Sequence, residues 1–151
     1  MKLSSSAFKS GSRIPSRFTC DGENINPPLI ISEIPAEAKS LVLIMDDPDV
    51  PKYIRADGMW DHWVVFNIPA NVCEIKEGEQ PEGIAGAGTA GSTAYSGPCP
   101  PDREHRYFFK CYALDTILSL HEKATKKQVE QAFVEHVLAK AELMGRYMRR
   151  N

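Results

Sequence analysis

HRYFFKCYAL, residues 105–114, is the stretch on which the fold turns. Read with a period of two, it places His105, Tyr107, Phe109 and Cys111 on one face of a strand, and Arg106, Phe108, Lys110 and Tyr112 on the other. His105 and Tyr107, one pleat apart, point into the same space, about 7 Å from each other. Upstream, SLVLIM (40–45) is a continuous apolar run that predicts a strand buried on both faces. The segment from His62 to Ile68 predicts another, with His62, Val64, Phe66 and Ile68 sharing a face. All eleven prolines and every glycine but Gly145 fall within residues 1–115, between short apolar runs. That punctuation is the pattern of an all-β domain with long loops.

The last thirty residues change character. Thr125-Lys126-Lys127-Gln128 is a capping-box pattern, and Val129, Phe133, Val137, Ala141 and Met144 recur at helical spacing. The expectation is one long amphipathic helix closing the chain, with a solvated outer face and a frayed end from Met148.

The chain has 151 residues, a length that fits one domain (1–151) with a core of its own and no need of disulfide staples. A net charge of −2 argues against broad nucleic-acid binding. MKLSSSAFKSGSR holds no apolar run long enough for a signal-peptide core, and nothing approaches a membrane span, so an intracellular, cytoplasmic protein that is not integral to a membrane is expected. Cys20, Cys73, Cys99 and Cys111 are irregularly spaced, give no zinc signature and read as free thiols. Of these, Cys111 packs in a strand, and Cys99, between prolines, lies near the surface. Gly86-Ala87-Gly88-Thr89-Ala90-Gly91 matches the dinucleotide fingerprint in letters only. No strand-forming run precedes it and STAYSGPCPP cannot continue it as a helix, so it reads as a flexible loop.

The residues with chemistry lie where strands begin or end. Asp46-Asp47-Pro48-Asp49-Val50-Pro51 leaves the buried strand with its carboxylates on a loop stiffened by two prolines. Trp60-Asp61-His62-Trp63 opens the next strand with an oriented histidine between indoles. SGPCPP (96–101) delivers His105 and Tyr107, while Arg106 faces away and is suited to brace a carboxylate through its two-pronged guanidinium. Each piece alone is more simply structural. Together, imidazoles, a phenol and a carboxylate suit a phosphate or carboxylate ligand.

DPDVP, GMWDHWVVFNIP and YSGPCPPDREHRYFFKCYALD resemble the two signature regions of the phosphatidylethanolamine-binding protein family, in its compact bacterial branch, also known for Raf kinase inhibitor-like members. SRFTCDGENINPPL and HVLAKAELMGRYMR extend the resemblance over nearly the whole chain. It implies a β-sandwich of two antiparallel sheets with flanking helices, here a C-terminal α-helix. It further implies a small pocket for a phosphate-bearing small molecule or phospholipid headgroup. Carried over by motif, the ligand-binding residues are Asp47, His62, His105 and Tyr107, with Pro101 favoured among the prolines of 98–101. Asp49, Trp60 and Arg106 support them. No cofactor or metal is implied.

This chain departs from the family pattern in two places. Arg103-Glu104 stands where glycine is common, which puts the Glu104 carboxylate beside the pocket rim. Residues 86–93 lack the polar and aromatic side chains that relatives carry. The resemblance implies a non-enzymatic binding protein that modulates a protein kinase or hydrolase partner; compact relatives often pair, so a homodimer is one option, and the sequence itself does not choose an oligomeric state. The alternative is a metal- or acid–base-dependent hydrolase using Asp47, His62 and His105. Against it, neither G-x-S-x-G nor H-E-x-x-H occurs.

Overall fold

In a computed structural model describing residues 1–150, eight strands and one α-helix follow in the order β1 (Lys2–Ser4), β2 (Leu29–Ser32), β3 (Ser40–Asp47), β4 (Trp60–Pro69), β5 (Glu74–Ile75), β6 (Ile84–Ala85), β7 (His105–Leu114), α1 (Lys126–Phe133) and β8 (Val137–Tyr147). A 3-10 turn at Ser16–Phe18 lies between β1 and β2.

The strands form a three-stranded sheet, β1-β2-β5, and a five-stranded sheet, β6-β4-β3-β7-β8, every pairing antiparallel. The expected two-sheet, mostly β architecture is thus the observed one. β3 lies at the centre of the large sheet, and its uninterrupted burial explains why its sequence is apolar throughout rather than alternating. One face of the large sheet packs on the small sheet through Leu43, Met45, Trp63, Val65, Phe109 and Cys111. The other packs on α1 through Val42, Ile44, Val64, Phe66, Tyr112 and Val129. Alternation along β7 matches the period-two reading.

β4 departs from it. Leu41 pairs with Ile68 but Leu43 with Val65, and Met45 pairs with Trp63 but Asp46 with Asp61. Each shift inserts an extra residue into β4, the second being His62. The four residues expected on one face are therefore divided: Val64 and Phe66 face α1, whereas Ile68 faces the small sheet. The bulge at His62 turns its ring toward Tyr107 on the inter-sheet side, with ring centroids 5.4 Å apart. Re-aiming a side chain beside a site is a common use of bulges.

The long C-terminal helix is corrected. The capping box forms, with Thr125 Oγ1 accepting from Gln128 N and Gln128 Oε1 accepting from Thr125 N, but α1 ends at Phe133. Residues from Val137 pair with β7 along its whole length. The helical stripe was a coincidence of spacing: Ala141, Leu143, Gly145 and Tyr147 also alternate, and these are the buried positions. Gly145 disfavours a helix by about 1 kcal/mol. In the strand it has a purpose, because a Cβ there would collide with Ile14 and Phe8. Completing the backbone hydrogen bonds of β7's free edge decides the outcome.

The free-thiol reading also fails in part. Cys20 and Cys99 form a disulfide, joining the loop after the 3-10 turn to the proline loop before β7. The two are 79 residues apart in sequence, and only the tertiary fold brings them together. Cys111 is free and buried, and burial pushes its thiol up to about 12; Cys73 is free and exposed.

Candidate functional site

Asp47 ends β3 on the inter-sheet side, 3 % exposed. Its Oδ1 accepts the backbone N–H of Asp49 at 2.8 Å, and its Oδ2 lies 2.6 Å from His105 Nδ1. Pro48 stiffens this turn, so one carboxylate both closes the loop and orients the ring. Asp49 points outward. It accepts Arg106 Nε at 2.9 Å, Arg106 Nη2 at 2.8 Å and the Arg106 backbone N–H at 2.9 Å. The guanidinium holds the Asp49 carboxyl below the usual carboxylate range. This two-pronged clamp ties the β3 exit to the start of β7.

His105 is 1 % exposed and meets a second carboxylate: its Nε2 lies 2.7 Å from Asp102 Oδ1. Ionised carboxylates only accept, so a ring satisfying both contacts carries hydrogen on both nitrogens. Asp102 is a residue the sequence reading missed. Burial raises its carboxyl, but the His105 contact and the Arg103 backbone N–H together leave it below its ordinary value. The available signal was its position three residues before the motif histidine, in a turn led by prolines. Glu104, expected to disturb the rim, instead pairs with Arg146 Nη1 at 3.0 Å on the outer surface.

His62 lies 2.7 Å from the Ser96 carbonyl through Nδ1. A carbonyl cannot donate, so Nδ1 carries the hydrogen, and the neutral ring keeps a lone pair on Nε2. Burial pulls the imidazole below its usual range, against the opposing pull of the Ser96 carbonyl and Asp47. Among the described residues, His62 Nε2 has no protein hydrogen bond. Tyr107 is fully buried, and its hydroxyl has no hydrogen-bond partner among the described residues. Burial, the nearby Asp47 charge and the approach of the Asp47 carboxylate push this phenol upward, although no hydrogen bond forms between the two, so it is a donor and not a phenolate.

These side chains border one pocket of about 320 Å3. Asp47, His62, His105 and Tyr107 form its polar end; Val50, Ile54, Trp60 and Pro101 are among its apolar walls. Every residue expected to bind ligand therefore lines it, with Trp60, while Asp49 and Arg106 clamp it from outside. The sequence reading missed Val50 and Ile54, which carry no chemical mark. Cys99 also borders the pocket, so the disulfide secures its proline wall. Beyond Pro100 and Pro101 lies an open cleft lined by Asp102, Arg103, Met148, Arg149 and Arg150.

The glycine loop is tied down by backbone bonds. Gly86 N–H donates to Val64 O at 2.8 Å, Ala87 N–H to Ala124 O at 2.9 Å and Thr89 N–H to Asp61 O at 2.9 Å. Its glycines allow this approach: a Cβ at Gly88 would lie 2.7 Å from Asp61 O. They serve packing, with Ala90 alone of residues 86–91 reaching the pocket. No group of three or more His, Cys, Asp or Glu side chains among the described residues is placed to hold a metal ion. No helix is long and apolar enough to cross a membrane.

The family model described as phosphatidylethanolamine-binding protein matches residues 4–148. A UPF0098 protein of Chlamydia trachomatis is 50% identical over 147 residues, covering 97% of this chain and 98% of the relative. One from Methanothermobacter thermautotrophicus is 49% identical over 155 residues, covering 99% of each chain. Among solved structures, a phosphatidylethanolamine-binding protein homolog from Chlamydia trachomatis superposes with a TM-score of 0.96 at 49% identity, covering 99% of this chain and 97% of that one. Escherichia coli YbcL superposes with a TM-score of 0.88 at 28% identity, covering 99% of this chain and 98% of that one. The match spans both signature regions and all the strands that shape the pocket, and the chain belongs to the phosphatidylethanolamine-binding protein family.

Proposed function

We propose that the protein is a non-enzymatic binding protein whose pocket takes a small phosphorylated, headgroup-like ligand and whose occupancy modulates a kinase or hydrolase partner. The observation that carries this reading is the Tyr107 hydroxyl, buried without a partner beside a preformed pocket. A buried donor left unmade costs about 1–3 kcal/mol. A phosphoryl oxygen at that position supplies the missing acceptor. The apolar wall of Val50, Ile54 and Trp60 receives the organic part of the ligand. Family membership supports the same class of ligand.

The Cys20–Cys99 bridge opposes the expected cytoplasmic setting, because disulfides persist chiefly in oxidising compartments. The test of function is an NMR titration with O-phosphoethanolamine, following the rings of His62 and Tyr107. Saturable shifts at both are expected; silence at both would turn the search to protein partners.

A further inference from the structure

We infer that this pocket admits a phosphoryl group in a form that brings its own hydrogen, and that Asp102 sets this demand; the inference rests on the binding function proposed above.

Acceptors outnumber free donors at the polar end of the pocket. Asp47 from β3 and Asp102 from the turn before β7 are both acceptors, and each already holds one nitrogen of His105. His62 from β4 spends its N–H on the Ser96 carbonyl and keeps a lone pair. Of the four side chains at this end, Tyr107 brings the buried donor left without a partner, while Trp60 and Ser96 border the pocket along its walls. Charge points the same way. With His105 carrying hydrogen on both nitrogens, Asp47 and Asp102 still leave this end one negative charge in excess. Arg106 does not alter that, because its charge is spent on Asp49. Arg103 Nε pairs with the second oxygen of Asp102 at 3.7 Å from the open cleft, outside the pocket, and offsets part of that charge. Asp46 and Asp61, on the opposite face, are occupied with Lys110 and Lys126.

A fully ionised oxyanion would thus meet carboxylates and a lone pair with one hydroxyl to hold it. A phosphoryl group that retains a P–O–H, or is joined to an ammonium, can donate to those acceptors while accepting from Tyr107. Sites built around a particular hydrogen bond reject the analogue that lacks it, because their buried polar groups stay unpaired. Asp102 is the adjustable member. It lies on a loop, it occupies the Nε2 hydrogen of His105 that would otherwise face an anion, and it borders the open cleft.

Phosphate and sulfate, equal in shape but unequal in retained hydrogen, make the test. Both are titrated into the protein between pH 5.5 and 8 by NMR, with methylphosphonate and O-phosphoethanolamine as further ligands. Phosphate should bind about tenfold or more tightly than sulfate at the acid end. Its affinity should fall as pH rises. The pH at which it falls should follow the ligand, lying higher for methylphosphonate, which releases its second proton later. Asp102→Asn and Asp102→Ala should raise sulfate affinity and narrow the phosphate-to-sulfate ratio by about tenfold. Equal binding of sulfate and phosphate to the unaltered protein would overturn the inference while leaving the pocket intact. So would a fall in affinity at one pH for every ligand, or a ratio unmoved by both variants. Failure of all the ligands with both the unaltered protein and the variants would instead remove the binding function itself.

Discussion

Asp46 and Asp47 are neighbours on β3, both buried, and they face opposite sides of the large sheet. On the helix side, Asp46 Oδ2 receives Lys110 Nζ at 3.0 Å and Lys126 Nζ at 2.8 Å, with Asp61 3.5 Å from Lys126. Burial opposes the Lys126 charge, but Asp46 and Asp61 outweigh it and raise its pKa. Burial raises Asp61, against the pull of Lys126. This cluster balances two lysines against two aspartates between the large sheet and α1. On the pocket side, Asp47 meets a titratable ring and a backbone amide, beside a phenol that nothing satisfies. Two identical side chains one residue apart thus belong to different kinds of chemistry. Burial, charge and an unmet polar atom do not distinguish a binding site from a structural ion cluster, since Asp46 Oδ1 and Asp61 Oδ1 also lack a hydrogen bond; the open volume beside Tyr107 does.

The comparison breaks most sharply through Asp46→Asn. It strands two partly buried lysines, and the expected loss is about 3–5 kcal/mol in urea unfolding, with the pocket rings unmoved in NMR spectra. A loss below about 1 kcal/mol would mean that the cluster is effectively solvated. Reduction of Cys20–Cys99 should cost about 2–4 kcal/mol by the same measurement. It should also weaken binding, because the bridge anchors the pocket's proline wall. Unchanged binding after reduction would assign the bridge to stability alone.

Tyr107→Phe should act in opposite senses on the two quantities. Removing an unpaired buried hydroxyl should leave stability unchanged or raise it by about 1 kcal/mol, while phosphate affinity falls about tenfold. A clear loss of stability would show that the hydroxyl already has a partner. His105→Ala is a poorer probe, since it leaves Asp47 buried without its ring. The smallest effect concerns pH. The folded pKa of His62 lies below its unfolded value, so the unfolded chain binds the extra proton. The His62 contribution is complete above about pH 6.5. It is lost as pH falls through the lower folded value, and His62→Asn should flatten that part of the stability profile.

The pocket-lining residues were legible through the family's motifs, and His105 and Tyr107 also through local spacing on one strand. β7 shows this best: its ends and both its faces follow from alternation. β3 was readable for the same reason, although its strand runs on to Asp47. The division of β4 was not, because a bulge is a property of the pair of strands, and no residue of β4 announces which partner it will skip. His62 was recognised by its motif, but the face it occupies was not. Asp102 escaped because an aspartate in a proline turn is ordinary until a histidine is placed against it.

What the sequence determined by itself was the set of local preferences. These were apolar runs long enough for strands, prolines that stiffen the strand ends, a capping box that starts α1, and the motifs that mark the family. What only the tertiary structure decided were choices among partners. Residues 137–147 fit a helix by spacing and a strand by alternation, and the open edge of β7 selected the strand. Cys20 and Cys99 became a pair only when the loops met. Asp46 and Asp47 acquired different roles only when one faced lysines and the other a pocket. Local preference is settled within a few residues of chain, whereas pairing energies depend on groups that the fold alone brings within reach.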